Sequence, residues 1–245
     1  MKKVIKIAHL YYDLLNLYGE VGNVKALEEF CKRAGAEVEV HFLTIGDKID
    51  FKKYDFYYIG EGSEESQELV LEDIKKYKDS IKDAIDDGKF FLATGNAMEY
   101  FGKKIRKNTG ISLECLDIFP YVAFEEDQRL VSEIIYDYDK LPTGKGRKFL
   151  GFKNCNCNIR NNDQNRMFKY SDSYEYKNFY GMNFVGPALI RNPYFTNYIV
   201  KKLFESKNYD YTKLPEDTDE FKAYDIFLDN FVKHQKEEGK WNLYI

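Results

Sequence analysis

Histidine and cysteine are scarce in this chain of 245 residues, with three and four copies respectively. The histidines are His9, His41 and His234, so a mechanism that needs an imidazole has few candidates. Four cysteines are too few in a chain of this length for a secreted disulfide scaffold, and the CNC segment at 155–157 lacks the CxxC spacing of a zinc knuckle or redox pair. The sequence therefore predicts reduced thiols, no metal site and no cofactor.

Long apolar runs and an excess of positive charge are also missing. The longest apolar runs are strand-sized, and the amino terminus, MKKVIKIAHLYY, has no hydrophobic region followed by a cleavage site. Lys and Arg total 37 against 41 Asp and Glu, a formal charge of −4, and the two signs are interspersed. Because a duplex-binding protein usually concentrates its basic residues on one face, we expect a soluble cytoplasmic protein with no membrane span and no nucleic-acid partner.

What the chain does contain is a regular alternation of strand-length apolar runs and helical patterns. The predicted strands of the first half are 4–10, 38–43, 56–59 and 90–94. Helical spacing begins near Asn23 and again over 65–87. This alternation predicts an α/β fold with a doubly wound, mostly parallel sheet, whose ligands bind at the carboxyl ends of the strands. We expect one domain over 1–245.

The second half is less regular. Strands are predicted at 131–136 and 148–153, and these two could pair antiparallel. The segment 154–177 is rich in Asn, Asp, Ser and Lys with little periodicity, which predicts a loop. A last strand at 179–185 precedes two amphipathic helices.

The segment FFLATGNAMEYFG, residues 90–102, has the form of a buried strand that turns directly into a helix at a glycine. Enzymes with α/β folds use such a turn to present a nucleophile. Gly95 and Asn96 stand at the turn, and neither side chain can attack a substrate. Glycine also relieves the backbone strain that another residue would carry at this position.

Five segments, taken in order, resemble one known family. They are LYYDLLNLYGEVGNVKAL, GEGSEESQE, LATGNAMEYFG, GFKNCNCN and NFVGPALIRNP. Together they resemble the class I glutamine amidotransferase domain of the cobyric acid synthase type, the branch that includes the glutaminase subunit of lipid II isoglutaminyl synthase. The resemblance implies a flavodoxin-like fold in which a cysteine, activated by a histidine, attacks the glutamine amide and releases ammonia for a partner synthetase. Backbone N–H groups stabilise the oxyanion in that reaction.

The sequence departs from the family pattern at its reactive positions. The resemblance places Gly95 at the cysteine position and Val185 at the histidine position, so both reactive groups are replaced. A glutamine of the family becomes Glu99, and the histidine of the fourth segment becomes Cys155. The residues that the resemblance implies for substrate binding are Arg129, Gly60, Gly62, Asn96 and Glu99.

Other groups could replace the missing ones. Thr94 lies one residue before the turn, and we expect its side chain to pack within the strand. Cys155 and Cys157 belong to a segment that borders the expected cleft, but packed or idle thiols are the simpler interpretation. His9 lies on the first strand, where a hydrogen-bonded sheet residue is the simpler interpretation. Each of these residues therefore has a structural interpretation as well as a catalytic one.

Glu61 and Glu99 flank the expected pocket and lead to the second of two functional hypotheses. The first hypothesis is a degenerate glutaminase-like subunit that partners an ATP-dependent amide ligase and keeps a cleft for a small amide or carboxylate ligand. The second is an enzyme with altered chemistry, in which Arg129 binds such a substrate and the two carboxyls act as acid and base. Solvated loop charges are the simpler interpretation of both glutamates.

Overall fold

The central sheet of the computed structural model, which describes residues 2–160, 165–169 and 171–237, has six strands in the order β2-β1-β3-β4-β10-β9. Their bounds are β1 Val4–Leu10, β2 Glu37–Leu43, β3 Phe56–Ile59, β4 Phe90–Thr94, β9 Tyr174–Tyr176 and β10 Phe179–Met182. Neighbouring strands run parallel from β2 to β10, and β9 pairs antiparallel at the edge. Every residue of β3 and β4 is buried, as expected for parallel strands covered on both faces.

Helices cover both faces of this sheet. Their bounds are α1 Val21–Arg33, α2 Glu64–Ile74, α3 Lys78–Asp86, α4 Ala188–Arg191, α5 Pro193–Ser206 and α6 Asp219–Glu237. Tyr57 of β3 packs in the cluster that contains Val70 of α2, whereas the next residue, Tyr58, packs with Leu27 of α1 on the other face. Successive side chains of a strand point to opposite faces, so β3 contributes to both layers. The doubly wound, mostly parallel architecture predicted from the sequence is confirmed.

A second sheet of four strands, in the order β6-β5-β7-β8, stands beside the first. Its strands are β5 Lys104–Arg106, β6 Ser112–Glu114, β7 Val122–Asp137 and β8 Lys148–Arg160. β7 and β8 form a long antiparallel hairpin, with an irregularity in register between Glu125 and Leu130. The prediction of a loop over 154–177 was wrong for 154–160 and for 174–176, whereas 161–164 and 170 lie outside the described residues. Pairing with β7 overrides the low strand propensity of the Asn-rich segment.

Three predicted elements also differ in length or type. The helix predicted over 65–87 is interrupted at Lys75–Tyr77 by a 3₁₀ turn. Tyr77 leaves helical geometry there, since its ring packs 5.5 Å from that of Phe51 and its hydroxyl donates to the Asp47 carbonyl at 2.8 Å. The last strand of the first sheet ends at Met182 rather than 185. The helix after β4 is a 3₁₀ helix, Gly95–Phe101.

Candidate functional site

Two loops meet at the carboxyl ends of the adjacent parallel strands β3 and β4. The first contains Gly60, Glu61 and Gly62 and leads into α2, where the Ser63 side chain accepts the Ser66 N–H at 3.1 Å as an N-terminal cap. The second is the turn at Gly95, which begins the 3₁₀ helix. The register of β3 on β4 places the two loops side by side, which is where a ligand is expected in a sheet of this type.

The turn after β4 has no room for a side chain. Gly95 has φ +61°, in the left-handed region that glycine adopts without strain. A Cβ atom built on Gly95 would lie 1.7 Å from Oε2 of Glu61. The Glu61 carboxylate therefore fills the space in which any side chain at position 95 would begin.

Two backbone donors of these loops, the N–H groups of Asn96 and Gly62, are bonded to groups of the chain itself. The Asn96 N–H donates to Oε2 of Glu61 at 2.5 Å. The Asn96 carboxamide makes two hydrogen bonds to the backbone of Gly62. Its Nδ2 donates to the Gly62 carbonyl at 2.8 Å, and its Oδ1 accepts the Gly62 N–H at 3.2 Å. An acceptor atom of a ligand would have to displace one of these bonds.

Glu61 and Glu99 are buried, being 7% and 4% exposed, so the interpretation of both as solvated charges was wrong. Burial raises the pKa of Glu61 to about 8, while the hydrogen bond from Asn96 and the charge of Arg129 oppose the shift. Burial likewise raises the pKa of Glu99 to about 7, opposed by hydrogen bonds from Gln67 and Cys157. Both carboxyls therefore titrate near neutral pH.

A small cavity of about 40 Å³ lies between these groups. It is lined by Glu61, Glu64, Gln67, Asn96, Glu99, Ile105, Lys107, Glu125, Arg129, Cys155, Asn156 and Cys157. Its volume is close to the roughly 30 Å³ that one molecule occupies in liquid water. The structure thus brings Asn96, Glu99 and Arg129 of the predicted binding residues to one place, together with both thiols, while Gly60 and Gly62 set the path of the loop.

Arg129 crosses the mouth of this cavity from the irregular part of β7. Its Nη2 donates to Oε1 of Glu64 at 2.9 Å, and its Nη1 donates to the Asn154 carbonyl at 2.9 Å. The side chains of Arg129 and Glu64 are 41% and 62% exposed. The guanidinium therefore ties the β7–β8 hairpin to the start of α2.

Glu20, which was not among the residues predicted from the sequence, is 0% exposed and lies beneath the same loops. Its carboxylate accepts the Gly186 N–H at 2.7 Å, the Thr94 hydroxyl at 2.9 Å and the Tyr58 hydroxyl. Burial raises the pKa of Glu20, and these three hydrogen bonds oppose the shift. An acid between Gly19 and Gly22, in a segment that matched the family, was the signal that could have identified it.

Val185 and His9 lie near this network without forming a reactive group. Val185 is buried, and its backbone N–H donates to the Phe152 carbonyl at 2.9 Å. His9 is buried against the ring of Tyr58 at a centroid distance of 5.1 Å. The prediction of a hydrogen-bonded His9 was wrong, because neither ring nitrogen has a partner among the described residues. Burial lowers the pKa of His9 to about 4.

Two further properties concern the described residues only. No helix within 2–160, 165–169 and 171–237 is long and apolar enough to cross a membrane. The same residues include no group of three or more His, Cys, Asp or Glu side chains arranged to hold a metal ion.

Comparison with known proteins gives consistent matches. A family model for the CobB/CobQ-like glutamine amidotransferase domain matches residues 6–186. The chain is 28% identical over 247 residues to the lipid II isoglutaminyl synthase (glutamine-hydrolyzing) subunit GatD of Staphylococcus aureus strain N315, across 95% of this chain and 98% of that protein. It is 29% identical over 198 residues to the GatD subunit of Streptococcus pneumoniae strain ATCC BAA-255 / R6, across 77% of this chain and 76% of that protein.

A solved structure supports the same fold. The crystal structure of a glutamine amidotransferase superposes with a TM-score of 0.52 at 14% identity, across 80% of this chain and 98% of that chain. The fold is therefore that of class I glutamine amidotransferases.

Proposed function

Because the chain belongs to the CobB/CobQ-like glutamine amidotransferase domain family, we propose that it is a degenerate member without glutaminase activity that serves as the partner subunit of an ATP-dependent amide ligase. In this proposal Gly95 stands at the position of the attacking cysteine and Val185 at that of the histidine. The relatives are named as subunits of a glutamine-hydrolysing synthase, which is the basis for the class of partner.

One observation carries the loss of hydrolysis. The space over Gly95 is filled by the Glu61 carboxylate, which also takes the Asn96 N–H. Amide hydrolysis by this route needs a thiolate at the turn and a free N–H to stabilise the oxyanion. The Gly95–Asn96 turn offers neither a thiolate nor a free Asn96 N–H.

The thiols of the cavity do not restore the reaction. Burial raises the pKa of both Cys155 and Cys157, so both remain protonated at neutral pH and are poor nucleophiles. No histidine lies among the described residues that line the cavity. The imidazole that activates the thiol in the reaction of the family is therefore missing from the described part of the cavity wall.

A glutaminase assay tests the absence of hydrolysis. The purified protein is incubated with glutamine, alone and with its ligase partner, and ammonia is measured against a heat-denatured sample. We expect no release above that background and no effect of a thiol alkylator. Alkylator-sensitive release of ammonia would overturn this part of the proposal.

Co-purification tests the partner role separately. The chain is co-expressed with an ATP-dependent amide ligase from the same genome, and the complex is isolated through a tag on the ligase. Leu17 is 54% exposed, and its N–H donates to the Glu61 carbonyl, so Leu17→Asp alters the surface beside the glycine loop. Ile226→Asp, at the exposed position Ile226 of α6, is the matched control. We expect only Leu17→Asp to weaken the complex, and absence of any wild-type complex would refute the partner role.

The raised pKa values favour a second candidate function, an enzyme with altered acid–base chemistry on an amide or carboxylate substrate. Carboxyls with pKa values near 7 and 8 in a cleft are typical of acid–base catalysts. Arg129 would bind the substrate in this scheme, after giving up Glu64. The test measures turnover of amide and carboxylate substrates by wild type and Glu99→Gln. Loss of turnover in the variant, with its circular dichroism spectrum unchanged, would identify this function, whereas equal turnover in the two proteins would exclude it.

A further inference from the structure

The two edges of the central sheet are protected to different degrees. At one edge, β9 has three residues, and its outer side is covered, since the Glu175 N–H donates to the Asn165 carbonyl at 2.8 Å. At the other edge, β2 has seven residues and pairs only with β1. A long edge strand without cover is a template for pairing with another chain. The β2 edge is therefore available to a further strand.

Hydrogen bonds toward β1 determine which backbone groups of β2 point outward. The Glu37 N–H donates to the Lys3 carbonyl at 2.8 Å, and the Leu43 carbonyl accepts the Tyr12 N–H at 3.4 Å. Because the side to which the N–H and C=O of a residue point alternates along a strand, the odd-numbered residues of β2 bond toward β1. The outward groups belong to the three even-numbered residues, Val38, Val40 and Phe42. No residue within 2–160, 165–169 and 171–237 bonds to them.

These outward groups are complementary to those of a second copy of β2 in the antiparallel direction. A twofold axis at Val40 pairs Val40 with its own copy and pairs Val38 with Phe42 of the second copy. Each outward N–H then meets an outward C=O, and about six hydrogen bonds form. A shift of the register by two residues would leave one of the three outward residues without a partner.

The side chains agree with the same register. Glu39 stands opposite His41 of the second copy, in a pair without backbone hydrogen bonds whose Cβ atoms lie about 4.5–5.5 Å apart. An imidazole N–H can donate to a carboxylate in either protonation state of the ring, and the twofold axis forms this pair twice. On the other face of the strand Phe42 is 49% exposed, and its ring would pack on Val38 of the second copy. Since only Val40 meets its own copy, no charge lies directly opposite a like charge.

The acidic residues of the strand do not block this approach. Charged side chains often protect an edge strand, and β2 carries Glu37 and Glu39. Both carboxylates are paired within the chain, Glu37 with Lys2 at 2.6 Å and Glu39 with Lys6 at 3.6 Å. The edge therefore presents acids whose charge is already balanced.

We infer that β2 is a homodimer interface, in which two copies of this chain join their β2 edges antiparallel about a twofold axis at Val40. The two sheets of six strands then form one continuous sheet. β1 separates β2 from β3, so each copy keeps its own cavity. This dimer is independent of the proposed ligase partner and of glutaminase activity, and it can be tested with the chain alone.

Sedimentation equilibrium of the purified chain tests for the dimer. We expect the apparent mass to rise with protein concentration from the monomer value of 29.0 kDa to twice that value. A monomer at every concentration up to about 1 mM, where even weak association is detected, would overturn the inference.

Hydrogen exchange locates the interface without a substitution. In one chain the amides of Glu39 and His41 bond toward β1, whereas those of Val38, Val40 and Phe42 are open to water. We expect these three amides to become protected as the dimer forms, while those of Glu39 and His41 are protected throughout. The inference is wrong if the three amides stay unprotected in the dimer, or if they become protected only when a ligase is added.

An exchange of charges tests the register. Glu39→Lys places a cation opposite His41 of the second copy, and His41→Glu places a carboxylate opposite Glu39. Because each pair occurs twice across the axis, we expect either variant to raise the dissociation constant of the dimer by about tenfold. Glu39→Lys/His41→Glu sets opposite charges against each other again, and it should return the constant to within about threefold of wild type.

Glu37→Lys is the matched control for Glu39→Lys. Glu37 lies on the same face of β2 and also pairs with a lysine, Lys2, but it would stand opposite Leu43 of the second copy. Its reversal should change the dissociation constant by no more than about twofold. Failure of the double variant to restore the dimer, or equal weakening by Glu37→Lys, would overturn pairing in this register.

Discussion

Glu20 and Glu61 are buried glutamates at neighbouring strand ends, and their surroundings differ. Glu20 accepts hydrogen bonds from Tyr58, Thr94 and the Gly186 N–H, so elements that are distant in sequence converge on its carboxylate. Glu61 accepts one bond, from the Asn96 N–H, and borders the cavity. Glu20 therefore holds the frame of the site, whereas Glu61 fills the space over Gly95 at the edge of the cavity.

Under the proposal of a degenerate site, this difference would explain how the fold persists while the reactive position changes. Glu20, which is 0% exposed, joins the loops through its buried hydrogen bonds. In that proposal the turn at Gly95, over which Glu61 lies, is thereby free to hold no side chain. Separate supports for the frame and the reactive turn allow one to be altered without the other.

The largest expected effect is that of Glu20→Ala. The change removes the acceptor of three buried donors, from Tyr58, Thr94 and Gly186, and of a longer bond from Asn23, which keeps other acceptors. Unsatisfied buried donors cost about 1–3 kcal/mol each. Because Tyr58 and Thr94 can still bond each other at 2.8 Å, we expect a loss of about 3–5 kcal/mol in the free energy of unfolding. Urea denaturation measures it.

The control for this change is Glu64→Ala, which removes an exposed ion pair with Arg129. Such pairs contribute about 0–1 kcal/mol. If Glu20→Ala were no more destabilising than Glu64→Ala, the assignment of Glu20 to the frame would be wrong.

Local patterns predicted the frame better than the site. The apolar runs of β1, β3 and β4 and the glycine turn are continuous in sequence, so their structure follows from neighbouring residues. The Glu61–Asn96 bond joins positions 35 apart, and the Glu20–Gly186 bond joins positions 166 apart. The burial of both acids arises from these distant contacts, which composition and periodicity do not encode. Solvation was therefore the natural expectation for Glu61, and it was wrong.

A second prediction concerns Glu99, which lines the cavity beside Glu61, and the dependence of the free energy of unfolding on pH. The folded-state pKa of Glu99 is raised to about 7 from an ordinary value of 4.5, so the folded protein holds this proton more tightly than the unfolded chain. The stabilising contribution is complete below about pH 4.5 and is lost as the pH rises through about 7, amounting to on the order of 3 kcal/mol. Relative to Glu99→Gln, the wild type should lose about this much free energy of unfolding as the pH rises from about 4.5 to above 7.

Urea titrations at a series of pH values measure this loss. Glu65→Gln, at the exposed start of α2, should keep the wild-type dependence on pH. If the free energy of unfolding changed with pH in the same way in wild type and Glu99→Gln, the Glu99 carboxyl would be better solvated than its 4% exposure indicates.

The smallest expected effect tests the contact between Glu61 and the turn. Gly95→Ala places a methyl group at φ +61° and against the Glu61 carboxylate, so it adds a steric cost to the roughly 1–2 kcal/mol of left-handed backbone strain. We expect a total loss of about 2–3 kcal/mol in the free energy of unfolding, measured in urea. Gly110→Ala is matched in backbone strain, since Gly110 has φ +87° and open space where the methyl group would lie, and it should lose only the backbone part.

The double variant Gly95→Ala/Glu61→Ala isolates the steric part. Removing the carboxylate should make the change at Gly95 milder, although the Cβ of residue 61 still lies 2.9 Å from the new methyl group. We expect a coupling energy of about 1 kcal/mol in a double-mutant cycle. A coupling energy of zero would mean that Glu61 leaves the turn without cost. The Glu61 carboxylate would then be a mobile neighbour of Gly95, and the contrast with Glu20 would rest on burial alone.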